Sequence, residues 1–518
     1  MPFQVALADF PDRAGSSVSL ASGCLRSWAL ADPDLAERVS IGYCDIPAGE
    51  DPKRAARRMA KNAPRLAGLS CYVWNLRQSL ELAAALKGLL PEIRIVLGGP
   101  EAGGMARGLL ESEPAVDFIA LGEGEETFRR LLLFLAAGRG QVDEVPGLAF
   151  RKDGAVAATP KAPLIDLRRL GAPYAAGHVA MPQGTPQLFL EASRGCPFSC
   201  TYCVWGPKRM RYRAIEDIEA DLRFMADKTP LVYCIDADIL MSRRRALSVP
   251  KAFLRATEGR ETKLIFGTNL MHLWPEVVDF FSKHPDRFCV NFGLQTVVPE
   301  VAKRIRRPLD IGALGARLRH FKEKCPSMQF GFGLIFGLPG DDLGGFKRGL
   351  EWTLSYHPSR IFVNHCVVLP GSELERRAKE QGLSYQKEPP HLMVETPAMS
   401  REDFGAAHRL DVLVHFLGCN QAIYNELYGL MERRAGEGGT RVGTLERWGQ
   451  FLAAADLDLC PEGAGRENIE AAVYAWERIE KDPVLLAAVM KATRDFAAQE
   501  LGGASSARRP IRTVLSRE

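Results

Sequence analysis

Two successive series of short apolar runs, separated by stretches with helical periodicity, constrain this 518-residue chain more than any other feature. The first series is VALA at 5–8, VSIGYC at 39–44, LAGLSCYV at 66–73, IRIVLGG at 93–99 and VDFIALG at 116–122. Helical segments lie between them, such as 78–90, where Leu80, Ala83, Ala84, Leu86 and Leu90 recur at helix spacing. Strands apolar along their whole length belong in a parallel sheet covered on both faces. The chain is therefore expected to be α/β, with a Rossmann-like, doubly wound parallel sheet over 1–140 and its ligand crevice at the strand carboxyl ends.

The second series is QLFLEAS at 187–193, VYCIDA at 232–237, KLIFGT at 263–268, FCVNFG at 288–293, QFGFGLIFG at 329–337 and RIFVNHCVV at 360–368. Six such runs predict a central partial (β/α)6 barrel over 186–390. Between the two units, 141–185 reads as a linker that carries a small hairpin. Residues 391–518 are expected to form a helical domain, with 502–518 as a flexible tail.

Composition narrows the functions open to such a chain. With 25% charged residues and a net charge of +4, it carries no electrostatic footprint for nucleic acid, and no nucleic-acid partner is expected. No run reaches about 18 uncharged apolar residues, so no membrane partner and a cytoplasmic location are expected. Twelve cysteines are too sparse for a disulfide scaffold in a chain this long. Three of them, however, are clustered.

The segment 191–206 reads EASRGCPFSCTYCVWG, placing Cys196, Cys200 and Cys203 at CxxxCxxC spacing in the loop after the first barrel strand. Thiolates are soft ligands, and a short loop lets three of them reach three irons of a cubane while the fourth iron keeps an open position. Zinc would want a fourth Cys or His nearby, and the nearest histidines are His178 and His272. Three unconnected buried thiols are the competing account.

This spacing, with the aromatic Tyr202 before the last cysteine, resembles the hallmark of the radical S-adenosylmethionine (SAM) superfamily. The resemblance implies a [4Fe-4S] cluster whose free iron chelates the amino and carboxylate groups of SAM. One electron then cleaves SAM to methionine and a 5'-deoxyadenosyl radical, so an external one-electron reductant of flavodoxin or ferredoxin type is implied. It also implies SAM contacts at Tyr202, at Asp236 or Asp238 after the second strand, at Gln295, and at Gly333, Ile335 and Gly337. For the last group, a strand ending in a Pro-Gly turn is an equal reading.

Three loops at the predicted N-terminal strand ends are distinctive: Ser70 to Asn75, Gly98 to Glu101, and Gly122 to Glu126. Paired glycines let a bulky ligand approach the backbone, and first-turn glutamates suit a helix dipole. Together the loops resemble the cobalamin-binding domain that precedes many radical SAM barrels. The resemblance implies cobalamin contacts at Ser70, Tyr72, Trp74, Asn75, Gly98, Gly99, Pro100, Glu101, Gly122, Glu123 and Gly124. Residues 1–177 contain no histidine, so a DxHxxG loop giving imidazole to cobalt cannot operate. The lower corrin face is then expected to meet Trp74, Asn75 or Arg77, although Trp74 also reads as a packing aromatic.

The family implies methyl transfer to an unactivated carbon of a small molecule or peptide, by way of methylcobalamin and a substrate radical. Ring contraction, cyclisation or oxidation with the same cofactors is the alternative. Cys24, Cys44 and Cys71 resemble a transfer-RNA methylthiotransferase in number but not in their flanks. Only Cys419 and Cys460 follow the barrel, too few for auxiliary clusters. A cofactor-binding sensor with a helical output domain is the non-enzymatic reading. His365, His391, His408 and Tyr424 are possible substrate contacts, and the helical stretch 408–434 is expected to cap the barrel.

Overall fold

The computed structural model describes residues 1–11, 19–181, 185–206, 208–457, 459 and 482–501. The expected tail 502–518 and Cys460 lie outside the described residues.

Five parallel strands, Phe3–Ala8, Val39–Cys44, Leu66–Ser70, Arg94–Gly98 and Phe118–Ala120, form the N-terminal sheet in the order second, first, third, fourth, fifth. The inner strands are apolar because they are covered twice, whereas the edge strand Val39–Cys44 leaves Ser40 and Gly42 exposed. Ala29, Leu35, Phe128 and Leu131 pack on one face, and Ala55, Met59, Leu82 and Leu86 on the other. The strand order reverses between the first and third strands, which opens the crevice where doubly wound sheets bind ligands.

The hairpin Leu148–Lys152 and Ala155–Ala158 continues this sheet antiparallel beyond the fifth strand. Its loop sequence is readable, but the pairing partner is a distant strand that no local pattern names. The helix expected at 78–90 spans Leu76–Leu89, and its buried stripe is Leu76, Ser79, Leu82, Ala83 and Leu86. Ala84, expected on that stripe, is exposed, because a run this rich in Leu and Ala fits two helical phases.

Six parallel strands make the second sheet and lie side by side in chain order: Leu188–Leu190, Leu231–Cys234, Lys263–Thr268, Phe288–Gln295, Gln329–Phe336 and Arg360–His365. Residues alternate along them. Phe292, Phe332 and Phe336 are fully buried under the helices, whereas Gln295, Gly333 and Ile335 occupy the opposite, half-buried face. The Arg213–Asp221 pair, with side chains 1% and 0% exposed, fixes the connection between the sheets. Asp221 also accepts from the backbone N–H groups of Tyr174 and Ala175 at 2.9 and 3.1 Å.

The helical stretch 408–434 is two helices, Arg401–Cys419 and Gln421–Gly436, parted at Asn420, whose φ of −121° and ψ of 71° break the helical path. The first packs on the last barrel strand. Among the described residues the helices Arg441–Ala454 and Pro483–Glu500 follow, joined by a hydrogen bond from Trp448 to Thr493 at 3.1 Å. Among the described residues no helix is long and apolar enough to cross a membrane.

Candidate functional site

The carboxyl ends of the two sheets face one cavity of about 720 Å³. Ser70, Tyr72, Trp74, Gly98, Gly99, Pro100, Gly122, Glu123 and Gly124 line it from the N-terminal domain. Phe189, Glu191, Arg194, Cys203 and Trp205 line it from the barrel side. Cavities of this size hold large organic ligands, and an apolar wall with a few polar groups suits one.

Backbone conformation explains the glycines. Gly99 has φ +97° and ψ 167°, and a Cβ there would lie 2.3 Å from the carbonyl oxygen of Cys71, so only glycine lets the two loops cross. Gly122 has φ +84°, and no atom lies within 4 Å of where its Cβ would stand. Gly98 is equally bare. A flat corrin could rest on that open backbone, so these loops fit the expected group.

The three residues expected beneath the corrin separate. Trp74 stays in the cavity wall, 42% exposed, with its ring stacked on Tyr72 at 4.5 Å. Asn75 is buried and serves as a brace: its side-chain oxygen accepts from Tyr72 N–H at 2.8 Å, and its amide donates to Phe10 and Ser70 carbonyls at 3.0 and 3.1 Å. Arg77 points along its own helix to Glu81, with a side chain 92% exposed. Glu101 also leaves the cavity and pairs with buried His391 at 2.7 Å.

The cysteine loop opens after the two-residue strand Ser193–Arg194, which pairs antiparallel with Arg211–Tyr212. Cys196 and Cys200 are half-buried, and Cys203 is exposed at the cavity. Trp205 N–H donates to Cys203 Sγ at 3.3 Å, and the Arg307 guanidinium lies 4.0 Å from Cys200 Sγ while also donating to the Gly293 carbonyl. N–H groups directed at thiolate sulfur are the outer-shell contacts that iron–sulfur sites use. The donor set and its surroundings therefore fit a cubane.

The expected SAM residues divide. Gln295 stands at a register shift at its strand's carboxyl end with φ +72°, a strained position for a side-chain-bearing residue, and Gly333 pairs in register with Gly293 beside it. Ile335 shares their face. Gly337 is filled differently: a Cβ there would lie 2.5 Å from the ring of Phe404, so helix packing accounts for this glycine. Tyr202 is half-buried and packs against the main core.

Asp236 accepts from Ala192 N–H at 2.8 Å and from the Ser193 hydroxyl at 2.5 Å. Asp238 accepts from Leu240 N–H, Thr268 Oγ1 and Asn269 N–H, and pairs with His272 Nδ1 at 2.7 Å. Both oxygens of each carboxylate are thus occupied within the chain. Asp236 thus holds the segment that leads from the first barrel strand into the cysteine loop, and Asp238 ties the end of the second strand to that of the third.

Sequence reasoning missed the charge network that joins the two cofactor loops. Arg194 donates to Glu125 at 2.6 Å, to Glu191 at 2.9 Å and to Glu123 at 3.2 Å, and Arg211 pairs with Glu123. Burial is the largest single influence and works to raise the Glu125 carboxyl, but the charge and hydrogen bond of Arg194, its own backbone N–H and the Arg211 charge together hold the group below its ordinary value. Arg194 sits two residues before Cys196, so its position was visible, but its partners were not. His365, His391, His408 and Tyr424 do not line this cavity; His365 is held by the Met393 carbonyl at 2.6 Å.

Comparison with known proteins agrees with this geometry. A "B12 binding domain" family model matches residues 35–132, and a "Radical SAM superfamily" model matches 190–352. The cobalamin-dependent radical SAM methyltransferase TokK of Streptomyces tokunonensis is 26% identical over 73% of this chain and 57% of its own. The 2-(S-pantetheinyl)-carbapenam-3-carboxylate methyltransferase of Streptantibioticus cattleyicolor is 26% identical over 80% of this chain and 62% of its own. The chain thus spans about three fifths of these relatives. The structure of the cobalamin-dependent radical enzyme OxsB with aqua-cobalamin shares the fold at a TM-score of 0.65, with 13% identity over 97% of this chain and 80% of that one. The chain belongs to the radical SAM superfamily, in the branch whose members carry a B12-binding domain ahead of the radical SAM domain.

Proposed function

We propose that this chain is a cobalamin-dependent radical SAM methyltransferase acting on an unactivated carbon of a small molecule or peptide. The observation that carries the reading is a single cavity bounded by the bare glycine loops on one side and by the Cys203 end of the cysteine loop on the other. The methyltransferase names of the two relatives support the reaction class. Bound together, a [4Fe-4S] cluster and cobalamin supply reductive cleavage of SAM and carriage of a methyl group.

The chain's own residues set the conditions for that chemistry. Cys196, Cys200 and Cys203 would hold the cluster, with the Trp205 N–H donating to Cys203 Sγ and the Arg307 guanidinium beside Cys200 Sγ. Gly98 and Gly122 leave room for the corrin, with the Tyr72–Trp74 stack beside it. The Arg194 network ties loop 122–125 to the cysteine loop through ion pairs shielded from solvent, which would hold the two cofactor loops at a constant separation. Phe10, Phe128, Phe189 and Ile235 keep the space between them apolar and exclude water. Gln295 is the polar side chain offered to SAM, and the electron comes from an external flavodoxin- or ferredoxin-type donor.

The test is anaerobic turnover of reconstituted protein with methyl-labelled SAM, a one-electron reductant and a panel of small molecules and peptides. The expected result is 5'-deoxyadenosine together with label in one acceptor, both lost in Cys200→Ala. Formation of 5'-deoxyadenosine with an altered but unlabelled acceptor would replace methyl transfer by rearrangement or oxidation. Absence of any SAM cleavage by protein with full iron and sulfide would end the enzymatic reading.

A further inference from the structure

Glu191 follows the first barrel strand directly and lines the cavity. Its Oε1 accepts from Arg194 Nε at 2.9 Å, while its Oε2 is buried with no hydrogen-bond partner in the chain. Among the described residues, several side-chain polar atoms are orphaned in this way, but Glu191 Oε2 is the one on a residue lining this cavity. Buried carboxylate oxygens do not remain unpaired, so the partner comes from whatever fills the space.

The missing partner has to be a donor. Arg194 already satisfies the other oxygen, the Arg213 guanidinium is taken up by the Glu191 backbone carbonyl at 2.9 Å and by Asp221 at 2.6 Å, and the neighbouring Glu125 and Asp236 are themselves acidic. The loops opposite are the bare glycines of the B12-binding domain, and a corrin carries primary carboxamides around its rim. We propose that Glu191 Oε2 accepts a hydrogen bond from a rim carboxamide of the bound corrinoid, which extends the cobalamin site onto the first strand of the radical SAM barrel. The inference rests on the cobalamin reading of this cavity.

A pH dependence follows. Burial is the largest influence on the Glu191 carboxyl and pushes it up to about 6, with Arg194 opposing and Glu125 and Asp236 reinforcing. The carboxamide N–H selects the ionised form, so binding below that value must first release a proton. Affinity is therefore level above about pH 7 and falls roughly tenfold from that plateau by pH 5. Glu191→Gln removes the titrating group and keeps its shape.

The experiment measures the dissociation constant of methylcobalamin by absorbance between pH 5 and 8, without SAM or acceptor, for wild type and Glu191→Gln. Iron and sulfide content serve as the check on the cluster loop. The expected result is a tenfold weakening of wild type by pH 5, a flat profile for Glu191→Gln with unchanged iron, and the same wild-type slope for a cobinamide that has the rim but no nucleotide tail. A flat wild-type profile, or a slope that survives in Glu191→Gln, overturns the inference while leaving the cobalamin site intact. A slope seen with cobalamin but not cobinamide moves the contact to the tail and also overturns it. A wild type that holds its iron but binds no corrinoid removes the reading of the site and this inference with it.

Discussion

Gly99 shows how much of the site one residue decides. Its φ of +97° and ψ of 167° lie where side-chain-bearing residues are strained by about 1–3 kcal/mol, and its Cβ would meet the Cys71 carbonyl at 2.3 Å. Gly122, at φ +84° with open space around it, incurs only the conformational cost of about 1–2 kcal/mol. Gly99→Ala is therefore expected to lower the denaturation midpoint more than Gly122→Ala. Gly122→Ala folds but retains less corrinoid, because its methyl group enters the cavity. Circular dichroism in guanidinium and corrin absorbance after gel filtration measure the two effects; a Gly99→Ala variant with the wild-type midpoint would contradict the argument. The glycines and the cysteine triplet were legible because their signals are local: a backbone conformation and a ligand spacing. The fates of Asn75, Glu101, Asp236, Asp238 and Gly337 were not, because each is decided by a partner brought in by the fold. Phe404 reaches Gly337 from the C-terminal helices, and His391 reaches Glu101 from beyond the barrel.

At the scale of elements, the parallel strands were readable because burial leaves most of their residues apolar, and each of the eleven expected runs overlaps a strand. Helix phase was less readable, as Ala84 and Leu82 show, since periodicity alone does not choose between adjacent apolar stripes. Hairpin 148–158 joins the N-terminal sheet by pairing with the fifth strand, and Arg151 adds a second tie to the segment before that strand. Its guanidinium donates to the carbonyls of Leu110 at 2.7 Å, Glu113 at 2.6 Å and Val116 at 2.6 Å. Leu110 lies in the last turn of the helix Ala106–Ser112, and Glu113 and Val116 follow its end, so one side chain caps the helix and braces the turn after it. Arg151→Met keeps the aliphatic stem and removes these donors. It is expected to destabilise the chain by about 1–2 kcal/mol, read as a lower guanidinium midpoint at unchanged slope. An unchanged midpoint would show that water replaces the guanidinium at no cost.

Across the whole molecule, the Glu101–His391 pair joins the N-terminal domain to the segment that follows the barrel, and both side chains are almost fully buried, at 2% and 3% exposure. It is reinforced where Gly104 meets Pro370 so closely that a Cβ would stand 2.7 Å away. Burial works against charge on His391, but the hydrogen bond and charge of Glu101 outweigh it and raise the ring's pKa. A histidine raised on folding stabilises the folded chain fully below its unfolded value of about 6.5, and that contribution disappears as pH climbs through the raised folded value. His391→Gln retains a neutral N–H donor for Glu101 but cannot become charged. Wild type is therefore expected to exceed His391→Gln in thermal midpoint most at pH 6, by the equivalent of about 1–2 kcal/mol, with the gap narrowing steadily towards pH 9. Because Glu101 directly follows Gly98, Gly99 and Pro100 of the cavity wall, this contact also sets how firmly the crevice loop is held against the barrel. A gap that stays constant or widens with rising pH would mean that His391 meets Glu101 uncharged, leaving the Arg194 and Arg211 ion pairs as the charged contacts between the two domains.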